Sequence, residues 1–249
     1  MLSDALEWIE ADWPAPLGIL AGCTTRIGGV SQDEFAALNL GLHVGDDPTH
    51  VADNRRLMTL GCGLANEPAW LDQVHGTHVV VDPGPVQSLE ADAIVSTRSD
   101  AVCAIMVADC LPVLFVSENG EEVGAAHAGW RGLCNGVLEA TVEAFEASAE
   151  NLLVWLGPAI SQEHFEVDDE VRDAFIDHDR IAAQCFTQNL QGGWQADLCS
   201  LAEQRLHGMG VQQIYGGGLC TFSDPQRFFS YRRNGQCGRM AAFVARASA

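Results

Sequence analysis

Apolar residues along this chain come in short unbroken runs separated by longer stretches in which they recur every three or four positions. THVVVD (77–82), AVCAIMVAD (101–109), VLFVS (113–117), EVGAAH (122–127), NLLVWLG (151–157) and VQQIYGG (211–217) have the length and continuity of buried strands. Between them, LCNGVLEATVEAFEASA sets Cys134, Val137, Leu138, Thr141 and Phe145 on one helical stripe, and DEVRDAFIDHDRIAAQCF does the same with Val171, Phe175 and Ala182. DLCSLAEQRLHGMG reads as a third helix capped by Asp197. Alternation of this kind predicts an α+β (mixed α/β) fold with helices covering sheets. No repeat, low-complexity tract or linker divides the chain, so a single domain over 1–249 is expected.

Composition narrows the chemistry. At 249 residues and 47% hydrophobic content, the chain has ample material for a core. Its 34 acidic residues outnumber 13 basic ones, a net charge of −21, which argues against nucleic acid or an anionic membrane as partner. Every basic residue is arginine, so Schiff-base chemistry and a phosphate-loop lysine are excluded. The N-terminus, MLSDALEWIEADWPAP, is acidic where a secretory signal is basic, and no apolar run approaches the ~18 residues of a membrane span. Nine cysteines, an odd number without a C-x-x-C pair, suit a reducing compartment. A soluble cytoplasmic protein is expected, a monomer or small homo-oligomer.

Three breaks in the apolar pattern carry reactive side chains. VGAAHAGWRGL places His127 where a run gives way to small residues, MVADCLPVLF places Asp109 and Cys110 before Pro112, and WLDQVHGTHVV places His75 between two runs. Pro112 is expected to end one strand before the next begins. A lone histidine is ordinarily a core residue with both ring nitrogens satisfied. If the three breaks converge, however, His75, Cys110 and His127 form a His-Cys-His set, which suits zinc with a fourth position open for catalysis. Spacing alone does not establish that convergence.

The segments TTRIGGVS (24–31), LNLGLHVGDDP (38–48), QVHG (73–76), ADCLPVLF (108–115), HAGWRGL (127–133), LGPAISQEHFEV (156–167) and CTFSDPQRFFSYRRNGQCGRMAAF (220–243) together resemble one family. It is the laccase-domain family, labelled in turn multicopper polyphenol oxidase, peptidoglycan editing factor and purine nucleoside phosphorylase. The resemblance runs in order through nearly the whole chain; Asp168 and Asp169 depart from it, standing where relatives usually carry a glycine. It implies a layered sandwich of β-sheets covered by helices, similar to cysteine hydrolases of the cytotoxic necrotizing factor type. It also implies that His75, Cys110 and His127 are the metal-binding and catalytic residues.

The activity so implied is zinc-dependent phosphorolysis of adenosine, inosine, guanosine and methylthioadenosine, with deamination of adenosine beside it. Purine nucleosides and phosphate are then the small-molecule partners. Asp109 is the candidate proton carrier, with a turn-capping role as the alternative. Arg26, Arg131 and Arg232 are the candidates for phosphate, and Asn39 for the sugar, although an Asx turn explains Asn39 equally well. Arg227, Arg233 and Arg239 read as a solvated face pairing with carboxylates, and Trp130 as core or as a purine-stacking ring. His43 and the remaining histidines receive no role. A copper-dependent polyphenol oxidase ranks second: a true multicopper site needs paired His-x-His motifs, and the eight histidines supply none, so bound copper would be adventitious. A third reading makes Cys110 the nucleophile of a cysteine hydrolase acting on peptidoglycan precursors, with His127 as its base.

Overall fold

The computed structural model describes residues 5–83 and 89–246. Two sheets form its centre. One has four antiparallel strands in the order Trp8–Glu10, Ile19–Thr24, Met240–Arg246, Val102–Val107. The other has six, in the order Gln213–Gly216, Leu152–Leu156, Leu111–Ser117, Val123–Ala128, Ala93–Ser96, Val79–Val81. Its two outermost pairings are parallel and the inner ones antiparallel.

Alternation of side chains across the pleat explains why these runs are apolar throughout. On Leu111–Ser117, Val113 and Phe115 face one buried cluster together with Leu138, Phe175 and Leu201, while Leu114 and Val116 face another shared with Ile105, Val107 and Val244 of the four-stranded sheet. The outer face of that sheet, Ala104, Ala241 and Phe243, is covered by Leu38, Leu40 and Met58. The resulting layers are helix, sheet, sheet, helix. Pro48–Gly61 covers one side; Trp130–Asn135, Val137–Glu143, Asp169–His178 and Leu198–Gly208 cover the other. The layered sandwich implied by the resemblance is thus the observed architecture.

Several local expectations change. The stripe through Cys134 and Phe145 is not one helix: Gly136, at φ +102°, ends the first segment in the left-handed region and starts the second. The stripe from Val171 to Ala182 breaks at Asp179, whose extended backbone ends the helix and whose carboxylate caps a 3-10 segment, Arg180–Cys185. Asp197 caps its helix as expected, accepting from the Ser200 amide. Pro112 does not end a strand. It lies inside Leu111–Ser117, opposite His127 and just beyond the last ladder pair with Leu152–Leu156, where its missing N–H is not needed. Among the described residues, no helix is long and apolar enough to cross a membrane.

Candidate metal centre

The three breaks converge. His127 is the fifth residue of Val123–Ala128, Cys110 sits in the turn between Val102–Val107 and Leu111–Ser117, and His75 lies in the loop before Val79–Val81. Their ligand atoms all fall within 4.8 Å of one another. Cys110 Sγ is 3.8 Å from His75 Nε2, and the two imidazoles meet edge to face with centroids 4.7 Å apart. Gly129 makes room for them, since a Cβ there would stand 2.9 Å from the His75 ring and 3.0 Å from Cys110 Sγ.

One carboxylate absent from the sequence expectations organises the cluster. Asp92, fully buried, precedes the strand Ala93–Ser96 that pairs with the His127 strand. Its Oδ1 accepts from His127 Nδ1 (2.8 Å) and the His75 amide (2.9 Å); its Oδ2 accepts from the Gly76 amide (2.6 Å) and the Val74 amide (3.2 Å). Those contacts hold His75 in a left-handed conformation, φ +61°, that a histidine seldom adopts unaided. Gln73 adds a second clip, exchanging hydrogen bonds of 2.8 Å with both backbone groups of Met106.

Electrostatics follow from this arrangement. Burial alone would raise the Asp92 carboxyl, but the hydrogen bonds from His127 and the Gly76 and His75 amides hold it below the ordinary carboxylate range. His127 Nδ1 therefore donates to a carboxylate, leaving Nε2 for the cavity. Burial would likewise raise the Cys110 thiol and lower His127. Their mutual attraction and hydrogen bonding prevail, bringing Cys110 down to about 6 and His127 up to about 9. Two imidazole nitrogens and a thiolate, one imidazole oriented by a carboxylate behind it, form a donor set that fits a borderline-soft ion such as zinc or copper.

The cluster opens on a cavity of about 300 Å³, at the lower end of the roughly 300–1,000 Å³ typical of small-molecule sites. Met106, Ile160, Phe165 and Tyr231 supply apolar and aromatic surface, and His43, Arg232 and Arg239 supply polar groups. Another cavity, about 790 Å³ and lined by Arg55, Trp70, Arg98 and Asp100, touches none of the three cluster residues.

The other sequence candidates divide. Arg232 reaches the cavity, with Nη1 donating to the Glu166 carbonyl (2.9 Å) and its guanidinium over the Phe165 ring. Asp109 also lines the cavity, but both its oxygens are engaged, Oδ1 by the Thr221 hydroxyl and Oδ2 by the Arg232 amide, each at 2.6 Å. It ties the turn bearing Cys110 to the segment bearing Arg232.

Arg26 is spent elsewhere, donating to the carbonyls of Ala36 and Pro225 and stacking on Phe229. Arg131 is exposed and lies over its neighbour Trp130, which packs against the helix-side core. Asn39, fully buried, bonds to backbone and to Asp46 rather than facing the cavity.

Of the three arginines expected on a solvated face, only Arg227 pairs with a carboxylate, that of Asp224; Arg233 donates to the carbonyls of Thr221, Phe222 and Phe228, and Arg239 lines the cavity. His43, Gln73, Tyr231 and Arg239 were missed as cavity residues. The signal for Asp92 is a carboxylate set directly before an apolar run, DAIVS.

Comparison with known proteins agrees over almost the full length. Residues 20–247 match the family described as multi-copper polyphenol oxidoreductase laccase. The chain is 51% identical to purine nucleoside phosphorylase YfiH of Escherichia coli (strain K12), over 95% of this chain and 97% of that one. A purine nucleoside phosphorylase of Pseudomonas aeruginosa is also 51% identical, with the same coverage. Among solved structures, a Neisseria meningitidis protein superimposes with a TM-score of 0.92 at 44% identity, covering 97% of this chain and 99% of its own. YlmD of Geobacillus stearothermophilus does so at 0.88 and 31%, covering 97% and 96%. The chain therefore belongs to the multi-copper polyphenol oxidoreductase laccase family, and within it resembles members named purine nucleoside phosphorylase.

Proposed function

We propose that this chain is a cytoplasmic purine nucleoside phosphorylase acting on adenosine, inosine, guanosine and methylthioadenosine, with zinc held by His75, Cys110 and His127, and that it also deaminates adenosine. The observation that carries the reading is the convergence of those three side chains on one cavity, in a chain half identical to proteins named for this reaction. Bound zinc supplies Lewis-acid charge beside the substrate.

The chain's own groups perform the rest. In phosphorolysis a phosphate oxygen bonds to the anomeric carbon as the bond from that carbon to the base nitrogen breaks. The bond's electrons leave with the base, which takes up a proton, and the products are free purine and sugar 1-phosphate. Met106, Ile160, Phe165 and Tyr231 present an apolar and aromatic surface to the base. Asp92 fixes the His127 tautomer and the His75 loop, so the site is built before substrate arrives. Asp109 holds the turn bearing Cys110 against the segment bearing Arg232, accepting from the Thr221 hydroxyl and the Arg232 amide, and this positioning role is better supported than that of a proton carrier. Deamination exchanges the adenine amino group for a water oxygen and releases ammonia in the same cavity.

Chromatography of adenosine incubated with purified, zinc-loaded protein tests this. Adenine that appears only with phosphate supports the phosphorylase, and inosine formed without phosphate supports the deaminase. Neither product would overturn both.

The metal-free electrostatics favour a second reading. A Cys110 thiolate beside a protonated His127, oriented by Asp92, is also the arrangement of a cysteine hydrolase. Covalent capture of a substrate acyl group on Cys110 in metal-free protein would favour it. Laccase chemistry finds less support: among the described residues there is one group of three or more metal-ligating side chains, and oxygen reduction by a multicopper site needs several.

A further inference from the structure

We infer that Arg239 seats the phosphate, on the side of the cavity that it lines together with His43. The inference rests on the phosphorolysis reading and locates its second substrate. A chain of net charge −21 disfavours a dianion over most of its surface, so phosphate needs a fixed cation with free donors facing the cavity. Most of the arginines are committed elsewhere. Arg56, Arg98, Arg172, Arg205 and Arg227 pair with carboxylates, and Arg26 and Arg233 donate to backbone carbonyls.

Arg239 differs. It lines the cavity, and no carboxylate lies within ion-pair distance of it among the described residues. Only its Nη1 is engaged, by the Cys237 and Gly238 carbonyls and the Cys237 sulfur. That leaves Nε and Nη2 without a hydrogen-bond partner among the described residues, the adjacent pair of donors that suits a phosphate edge.

Its placement is prepared. Asn39 Oδ1 accepts from the Arg239 amide and the Gly41 amide, each at 2.9 Å, and the Leu40 amide donates to the Arg239 carbonyl. A Cβ at Gly41 would stand 2.9 Å from Arg239 Cγ, so a side chain there would press on the stem of the arginine. Beside it, loss of water and the Arg239 charge lower His43 from its ordinary value. Arg232, exposed and already bonded to the Glu166 carbonyl, is the weaker candidate.

Arg239→Met and Arg239→Lys test this in zinc-loaded protein. With inosine saturating, Arg239→Met is expected to raise the KM for phosphate about tenfold or more, from the loss of charge-assisted hydrogen bonds. The KM for inosine and the zinc content should be little changed. Arg239→Lys should recover part of the loss, since lysine keeps the charge but not the paired donors. Calorimetric titration with inorganic phosphate needs no turnover and should show the same ranking. A KM and an affinity for phosphate unchanged in folded Arg239→Met protein would overturn the assignment. So would a loss confined to adenosine 5′-monophosphate, which would give the arginine to a nucleotide. Failure of the wild type to make sugar 1-phosphate would sink the phosphorolysis reading separately, while the titration would still decide whether Arg239 binds phosphate.

Discussion

Two polar clusters, one closed and buried and one open to a cavity, are built to different purposes. In the first, Ser31, Asn39, Asp46 and Asn54 close on themselves. Asn54 donates to Ser31 Oγ and to the Ala37 and Asn39 carbonyls and accepts from the Val30 amide, while Asp46 accepts from Ser31 and Asn39. In the second, Asp92 takes four donors to itself so that His75, Cys110 and His127 can leave three ligand atoms turned toward one another. A satisfied network gives a rigid loop, whereas a network satisfied on one side only gives a rigid site. Only the second, in which Asp92 and His127 are buried while His75 is exposed, keeps reactive atoms in reserve.

Breaking the open cluster should have the larger effect. Cys110→Ala removes the thiolate, and both bound metal and phosphorolysis should fall to background, measured by metal analysis and product chromatography on the same sample. Asp92→Asn keeps the shape but offers His127 an amide in place of a carboxylate; metal affinity or turnover should fall about 10- to 100-fold, as for other groups that orient metal ligands. A competitive chelator titration would check it.

The contrast among thiols sharpens the comparison further. In metal-free protein, Cys110 should be the cysteine alkylated fastest at pH 7, because its thiol is drawn down to about 6, whereas burial pushes Cys62 and Cys199 up to about 12. As pH falls below that value the thiolate is protonated, and the rate should drop about tenfold per pH unit. Peptide mapping after iodoacetamide treatment reads both, and added zinc should protect.

Breaking the closed cluster should act on stability. Asn39→Ala leaves the Gly41 and Arg239 amides without their acceptor, a cost of about 1–3 kcal/mol in urea unfolding with metal content retained. Smallest of all, Arg131→Ala removes an exposed side chain stacked on Trp130, and turnover should stay within about twofold of wild type.

The difference between the clusters also explains what the chain disclosed in advance. Continuous apolar runs gave away Val102–Val107, Leu111–Ser117, Val123–Ala128 and Leu152–Leu156 because both of their faces are buried, whereas Ala93–Ser96, equally buried, was too short to stand out. Met240–Arg246 and Ile19–Thr24 escaped notice although they are central in their sheet, because alanine and glycine between their larger residues dilute the pattern. Breaks in the runs exposed His75, Cys110 and His127, and the family motifs joined them. Asp92 and Arg239 stayed hidden for a different reason. Each acts through a contact set by pairing between distant strands or loops, Asp92 across to His127 and Arg239 across to Asn39. Arg26 misled because a guanidinium in a glycine-rich turn looks the same in sequence whether it meets a phosphate or, as here, backbone carbonyls.

In the proposed function, one metal held by His75, Cys110 and His127 serves phosphate-dependent cleavage of a purine nucleoside. Its most direct test is to strip the protein of metal, restore zinc to half of the sample, and follow inosine by chromatography with and without phosphate. Hypoxanthine and ribose 1-phosphate are expected only where zinc and phosphate are both present. Hypoxanthine formed equally without zinc, or none from zinc-loaded protein with phosphate, would contradict it.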